Sequence, residues 1–422
     1  MRDTANISQL VTHLFRHEAG KMTAVLTKLF GLSNVEIAED IVQETLIAAL
    51  ETWKIKGIPD NPRAWLYKVA KNRTLDVLKR QQHFQKNISP NITFTLENEE
   101  KTQTQLDAFF LENEIQDALL RTLFACCTPS VSPDAQLILM LKTLCGLTAA
   151  EIAAALLSNA DTVTKKLYRA KEKIKNDHLS LDVPTGNEVI ERLDAVMKAI
   201  YLLFTEGYYS TSTDRVIRRD LCDEALRLGI LLADHPLSNS PKTAALVALM
   251  CFQSARFEAR IDDEGHAILL ENQDRSLWNP SYIALGYDYF KKTMVGTDVS
   301  TYHLEAAIAS YHIQAASFDT TNWQAIYYCY NLLFSLNPSP IIALNRAIAL
   351  GYTEGASRGI MALKEIKNLD KNSFYHAALG DFLQKNGELN AAKTAYNLAL
   401  NCTQLESEKR FILLKIGQLK AE

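Results

Sequence analysis

The chain has 422 residues, 47% of them hydrophobic and 22% charged, with a formal net charge of −4. This length and composition leave room for roughly two to four domains with real cores, and exclude a disordered chain or a small disulfide scaffold. No apolar run approaches the roughly 20 residues of a membrane span, and the opening MRDTANISQL lacks the basic-then-apolar order of a leader, so a cytoplasmic chain without membrane contact is expected.

With only 16 Gly and 11 Pro among Ala-, Leu-, Glu- and Lys-rich runs, the chain is expected to be all-α. Residues 6–30 carry Leu10, Leu14, Val25, Leu26 and Leu29 at helical spacing. Residues 35–53 form a second helix, with a stripe of Ile37, Ile41, Thr45, Ala49 and Trp53 flanked by Val42, Leu46 and Leu50. Asp40, Gln43, Glu44 and Ile47 fall on a different face of it. The loop KIKGIPDNP ends that helix through its Gly and two Pro. Pro62 suits the first position of the next helix, with Asn61 as cap. This third helix runs to about Gln82 and is expected to bury Trp65, Leu66, Val69 and Ala70.

Residues 87–113, rich in Asn, Thr, Glu and Gln, read as a linker. Helices resume over 112–127 and 133–145. The stretch LTAAEIAAALLSNADTVTKKLYRAKEKIK, from Leu147 to Lys175, then reads as a helix, a tight turn and a second helix. Ile152, Ala153 and Leu156 form one apolar face; Val163, Leu167, Ala170 and Ile174 form the other. Lys165, Lys166, Arg169, Lys171 and Lys173 are expected on the outward side, where a helix entering a DNA major groove needs its polar face. Asp161 is expected to cap this helix, and Thr162 and Thr164 stand at its start.

A boundary falls near 180–187, in LSLDVPTGN, and the chain beyond it is Tyr- and Ala-rich and helical. From about residue 321 it holds an imperfect repeat. His376, Leu379, Gly380, Leu383, Ala392, Tyr396 and Ala399 occupy the marker spacing of a tetratricopeptide helix pair. Shifting back 33 residues gives Ala343, Arg346, Ala347, Leu350, Gly359, Leu363 and Ile366. Trp323, Ile326, Tyr327 and Tyr330 match the first helix of a further unit, closed by Pro338 and Pro340. Stacked helix pairs expose a concave face, so a protein or peptide ligand is expected there.

Charge is unevenly spread. Residues 63–86 carry Arg63, Lys68, Lys71, Arg73, Lys79, Arg80 and Lys86 against Asp76 alone, and residues 161–175 carry six basic residues against Asp161 and Glu172. Between them, residues 87–113 hold Glu97, Glu99, Glu100, Asp107 and Glu112 against Lys101. Two basic surfaces on an acidic strap suit two DNA contacts. Of these acids, Glu97, Glu99 and Glu100 are read either as phosphate mimics or covers of the basic helices, or as part of a plain solvated tether. The seven scattered cysteines offer no second pair beside Cys126 and Cys127 for zinc and are expected as free thiols. His13 and His17 lack a third ligand, and Asp262, Asp263, Glu264 and His266 read as a turn. No phosphate loop, nucleophile elbow or dinucleotide fingerprint appears, so neither enzyme, metal nor cofactor is expected.

The stretches AEDIVQETLIAALETW (38–53), NPRAWLYKVAKNRTLDVLKR (61–80) and GLTAAEIAAALLSNADTVTKKLYRAKEKI (146–174) resemble, in order and spacing, regions 2 and 4 of bacterial RNA polymerase sigma factors of the extracytoplasmic-function type. FTEGYYSTSTD (204–214), ARIDDEGHAILLENQDRSLWN (259–279) and NPSPIIALNRAIAL (337–350) resemble a subgroup fused to a tetratricopeptide-like domain. The resemblance implies four parts: region 2 over 1–86, an acidic linker over 87–113, region 4 over 114–178 and a regulatory helical domain over 187–422. It implies RNA polymerase core enzyme and promoter DNA as partners, with Asp40, Gln43, Glu44 and Ile47 docking on polymerase. For the −10 element it implies contacts from Lys54, Lys56, Arg63, Lys68, Lys71, Asn72, Arg73 and Arg80. For the −35 element it implies contacts from Asp161, Thr162, Thr164, Lys165, Lys166, Arg169 and Lys173. A helix-turn-helix regulator that never docks on polymerase, or a repeat scaffold, are the alternative readings.

Overall fold

The computed structural model describes residues 2–82, 99–156, 158–177, 181, 187–208, 218–262, 268–296, 298–403 and 406–419. The chain forms two compact units, Met1–Asp214 with Arg218–Ser238, and Asn239–Glu422 with Arg215–Ile217. Unit 1 holds α1 (Arg2–Phe30), a 3-10 turn (Leu32–Asn34), α2 (Val35–Lys56), α3 (Pro62–Gln82), α4 (Glu99–Phe109), α5 (Glu112–Cys126), α6 (Pro133–Thr143), α7 (Ala149–Ala155), α8 (Ala160–Asn176), α9 (Asn187–Tyr208) and α10 (Arg219–Asp234). Unit 2 holds α11 (Pro241–Ser254), α12 (Pro280–Lys292), α13 (Thr301–Gln314), α14 (Trp323–Leu336), α15 (Pro340–Glu354), α16 (Ala356–Lys364), α17 (Ser373–Lys385), α18 (Leu389–Cys402) and α19 (Glu406–Gln418). The all-α expectation holds, and among the described residues no helix is long and apolar enough to cross a membrane.

In unit 1, α1 is the central helix. Met22, Ala24, Val25 and Leu26 are sealed in the core with Leu66 and Ala70 of α3 and Ile115, Leu119 and Leu123 of α5. The backbone approaches so closely at Gly20 that a Cβ would lie 1.8 Å from the Leu144 carbonyl oxygen, so only glycine fits. Local signals in the sequence set the helix ends. Gly57 ends α2 at φ 80°, its N–H donating to the Trp53 carbonyl at 3.0 Å. Asn61 Oδ1 accepts from the Ala64 N–H at 3.0 Å at the start of α3, the expected cap.

Two segments sit differently from expectation. Within the supposed tether, Glu99–Phe109 is helical, and Thr102, Leu106 and Phe110 are buried. Glu97 lies outside the described residues, as do the side chains of Glu99, Glu100 and Lys101. Residues 187–208 and 218–238, expected with the C-terminal part, pack into unit 1. The apolar face of α9 (Val196, Met197, Ile200, Leu203) is buried, and α9 contacts α5, α6 and α10. Most of the boundary segment at 180–187 lies outside the described residues, as do Tyr209–Asp214.

From α13 to α19 each helix of unit 2 packs on its chain neighbour. The repeat markers explain the close packing in the last pairs. A Cβ on Gly359 would lie 2.8 Å from Phe382 Cε2, and one on Gly380 would lie 2.7 Å from Tyr396 Cε1. The expected third copy is incomplete: α14 leads straight into α15, itself the first helix of the next pair.

Because α9 and α10 belong to the core of unit 1, the site of truncation matters. Ending the chain at Gly186 strips apolar cover from α5 and α6, and that fragment is expected to aggregate on size-exclusion chromatography. Ending it at Ser238 keeps the cover and should give a monodisperse helical protein. Equal behaviour of the two fragments would contradict this packing.

Candidate nucleic-acid interface

Asp40, Gln43, Glu44 and Ile47 are all exposed on one side of α2, Ile47 at 54%. The opposite side buries Ile41, Thr45, Ala49 and Trp53. Leu50, which periodicity alone would place beside the core stripe, is also 54% exposed and lies one turn beyond Ile47. This face therefore joins two carboxylates and an amide to an apolar edge of Ile47 and Leu50. Such a face suits a basic partner helix with an apolar ridge.

On the last turn of α2 and on α3, Lys54, Lys56, Lys68, Asn72 and Arg80 are exposed. Arg63, Lys71 and Arg73 are partly covered and bound to acids of the same chain. Arg63 Nη2 donates to Glu112 of α5, Lys71 Nζ to Asp107 of α4, and Arg73 Nη1 to Glu44 of α2. Three of the expected DNA contacts are thus engaged within the protein, and Glu44 joins the expected docking face to the expected DNA face. Trp65 is half-buried and meets Trp53 edge-on with ring centroids 5.4 Å apart, which makes it part of the α2–α3 packing rather than a stacking platform.

Arg63 is oriented by a buried carboxylate that the sequence does not reveal. Glu18 on α1 is 3% exposed. It accepts from Tyr67 Oη at 2.6 Å and Lys21 Nζ at 3.2 Å, meets His17 Nδ1 at 3.0 Å, and lies 3.5 Å from Arg63 Nε. Burial alone would raise its pKa, but the hydrogen bonds from His17 and Tyr67 and the Lys21 charge prevail and hold it at about 2. Burial and the Glu18 carboxylate together push the Tyr67 phenol up. The partners are up to 49 residues apart, so no local pattern signals them.

The second basic element is a helix-turn-helix formed by α7 and α8. Ile152, Ala153, Val163, Ala170 and Ile174 are buried, whereas Leu156 and Leu167 are only part-buried. The cap is Asn159, whose side chain accepts from the Thr162 N–H at 2.7 Å; Asp161, expected in that role, sits exposed in the first turn beside the dipole. The Thr164 hydroxyl donates back to the Ala160 carbonyl at 2.8 Å. Thr164, Lys165, Arg169 and Lys173 are exposed and Thr162 part-exposed. Lys165 and Arg169 make no ion pair among the described residues, Lys166 pairs with Asp134 at 2.9 Å, and Lys173 pairs with Asp177 at 3.1 Å. Tyr168, 63% exposed beside Arg169, adds an aromatic ring to this face that charge counting passes over.

Lys171, expected on the outward face, instead points inward. Its Nζ donates to Glu39 of α2 at 2.7 Å, and the two side chains are 13% and 14% exposed. Helix α8 also packs on the 3-10 turn before α2. The back of the second basic helix is therefore fastened to the first module.

All seven cysteines are free, and six of them are buried core residues; burial pushes the Cys127 thiol up to about 12. Among the described residues no group of acids, histidines and cysteines could hold a metal ion. Asp263, Glu264 and His266 lie outside them, as does the side chain of His13.

Residues 14–84 match the family described as Sigma-70 region 2, and residues 121–174 match Sigma-70, region 4. Residues 192–294 match a family of unknown function, DUF6596. An uncharacterized protein of Rhizobium meliloti (strain 1021), R00370, is 32% identical over 391 residues, which cover 92% of this chain and 91% of that protein. No solved structure matches the chain.

The Glu18 cluster has a definite pH signature. Its carboxyl ordinarily titrates at 4.5 and in the folded protein at about 2, so it favours folding above the higher value and loses that contribution as pH falls through the interval. Glu18→Gln is expected to lower unfolding free energy at pH 7 by about 3 kcal/mol, a gap that narrows below pH ~4.5 and closes near pH ~2. Denaturant titrations of both proteins across this range check it, and a gap independent of pH would contradict it.

Proposed function

The chain belongs to the sigma-70 family, a transcription-initiation factor with DNA-binding regions 2 and 4 and a fused C-terminal domain, and from that premise we propose that it acts as a factor of the extracytoplasmic-function type. It docks on core RNA polymerase through α2 and directs the enzyme to promoters through α3 and α8. The observation that carries this reading is the exposed face of α2. Asp40, Gln43, Glu44, Ile47 and Leu50 leave solvated acids beside an apolar edge that unit 1 does not cover. A DNA-binding regulator working alone has no use for that face.

In the proposed mechanism α3 presents Lys68, Asn72 and Arg80 to the −10 element, with Lys54 and Lys56 joining from the last turn of α2. The guanidinium of Arg63 and the ammonium of Lys71 serve phosphate once released from Glu112 and Asp107. On α8, Lys165 and Arg169 can reach base edges, where a good guanine pair discriminates by about 1–3 kcal/mol. Thr162, Thr164, Lys166 and Lys173 serve phosphate and register, and Asp161 stays at the dipole end.

Elements at −10 and −35 lie about 25 base pairs apart, roughly 85 Å at 3.4 Å per pair. A chain with Lys171 bonded to Glu39 holds α8 against α2, which supports reading this arrangement as the resting form. Promoter engagement then requires α8 to leave α2. The acidic segment 87–113 contributes through Asp107 and Glu112, which occupy cations that DNA would otherwise take. Unit 2 is the proposed regulatory part, and its stacked pairs α15–α16 and α17–α18 support a protein or peptide ligand.

Run-off transcription with purified core polymerase tests the central step. Asp40→Ala combined with Ile47→Ala should weaken polymerase retention by at least about tenfold, the loss of one interface anchor, and abolish run-off product. Both positions are exposed, so the unfolding midpoint should stay unchanged. Full retention and transcription by this variant would leave the docking proposal without support.

A further inference from the structure

Unit 2 contains two cations that no acid among the described residues answers. Arg256 follows α11, and Arg275 opens the 3-10 turn Arg275–Leu277. Both guanidiniums lie against the same indole, that of Trp278, at 5.9 and 4.5 Å from its centroid. Their hydrogen-bond partners are all neutral. Arg256 Nε donates to Gln273 Oε1 at 3.1 Å and Nη1 to Gln253 Oε1 at 3.4 Å. Arg275 Nη1 donates to the carbonyls of His312 and Ala315, at 2.5 and 2.9 Å, at the end of α13. Asp274 is next in sequence, but its carboxylate accepts from the Ser276 N–H. Neither arginine forms an ion pair among the described residues.

The cluster is incomplete in hydrogen bonds as well as in charge. Arg275 Nη2, Trp278 Nε1 and His312 Nδ1 are buried without partners. Burial and the two arginine charges hold the His312 imidazole neutral, with its pKa at about 3, and burial together with Arg256 lowers that of Arg275. Capping the carboxyl end of α13 accounts for one arginine. It does not account for a second like charge beside it on glutamine acceptors, an arrangement that costs free energy unless an anion completes it. Both guanidiniums keep part of their surface exposed, and each has spare N–H donors in the planar fork that suits an oxyanion.

We propose that Arg256 and Arg275, on the shared wall of Trp278, bind an oxyanion: the carboxylate or phosphate group of a small ligand of unit 2. Binding is read on the protein alone, so the outcome is separate from whether the chain docks on polymerase.

The test titrates full-length protein, carrying 15N-labelled tryptophan, with sodium phosphate and with sodium succinate, each against sodium chloride at equal ionic strength. A saturable shift of the Trp278 indole N–H resonance with a rise in unfolding midpoint is expected for at least one oxyanion and not for chloride. Response to phosphate alone, or to succinate alone, identifies the group bound. Arg256→Gln should weaken that response at least about tenfold while keeping the wild-type circular dichroism. Should that variant fail to fold, the wild-type resonance decides. An indole signal that neither oxyanion moves more than chloride does, or a folded Arg256→Gln protein responding like wild type, overturns the proposal.

Discussion

Glu18 carries a carboxylate almost sealed from water, held by Tyr67 and Lys21 and flanked by His17 and Arg63. A charge in that position persists only if its partners stay in place. The requirement fixes α3 on α1 from Arg63 to Tyr67, and with it the direction in which the remaining residues of α3 point. It reaches further. On α10, Arg227 forms a double hydrogen bond with Glu224, and its charge is close enough to be felt by Lys21. The ionic centre of unit 1 thus draws on the first helix of region 2 and on a helix well beyond region 4.

Away from that centre the same chemistry is weaker. Arg73 with Glu44, Lys71 with Asp107 and Lys166 with Asp134 are pairs whose acid is largely exposed, each worth up to ~1 kcal/mol. Such pairs keep cations oriented yet yield them to a polyanion at small cost. The Arg73–Glu44 pair has a second consequence. Under the proposed function, a polymerase that takes Glu44 would leave Arg73 without its partner and available to DNA, so that docking and promoter binding would assist one another. Lys171 with Glu39 is the exception, since both side chains are mostly covered, and this pair is the firmer latch between the modules.

Much of the design was legible in the sequence, for reasons of period and punctuation. Gly57, Asn61 and Pro62 set the loop between α2 and α3. The 3.6-residue period separated Asp40, Gln43, Glu44 and Ile47 from the buried stripe, and it found α7 and α8. Periodicity cannot see the end of a core, which is why Leu50 looked buried and is exposed. Nor can it choose between neighbouring caps: Asn159 holds the place where Asp161 was expected, because α8 begins at Ala160, two residues earlier than a cap at Asp161 would set. Contacts across large separations left no trace. Lys171 and Glu39 are 132 residues apart, and nothing near Lys171 distinguishes it from its outward neighbours. The membership of α9 and α10 in unit 1 was hidden for the same reason, since composition changes near residue 187 while the core does not.

The account turns on one exchange, in which cations held by acids of their own chain pass to DNA phosphate. Its most direct measurement is the salt dependence of duplex binding by the free full-length protein carrying Asp107→Asn and Asp134→Asn. A control with Asp298→Asn and Glu365→Gln, exposed acids of unit 2, changes net charge equally. The account predicts tighter binding for the first variant only, with the slope of log affinity against log salt steeper by about 2, one released phosphate contact for each freed lysine. Equal affinity and slope in the two variants would contradict it.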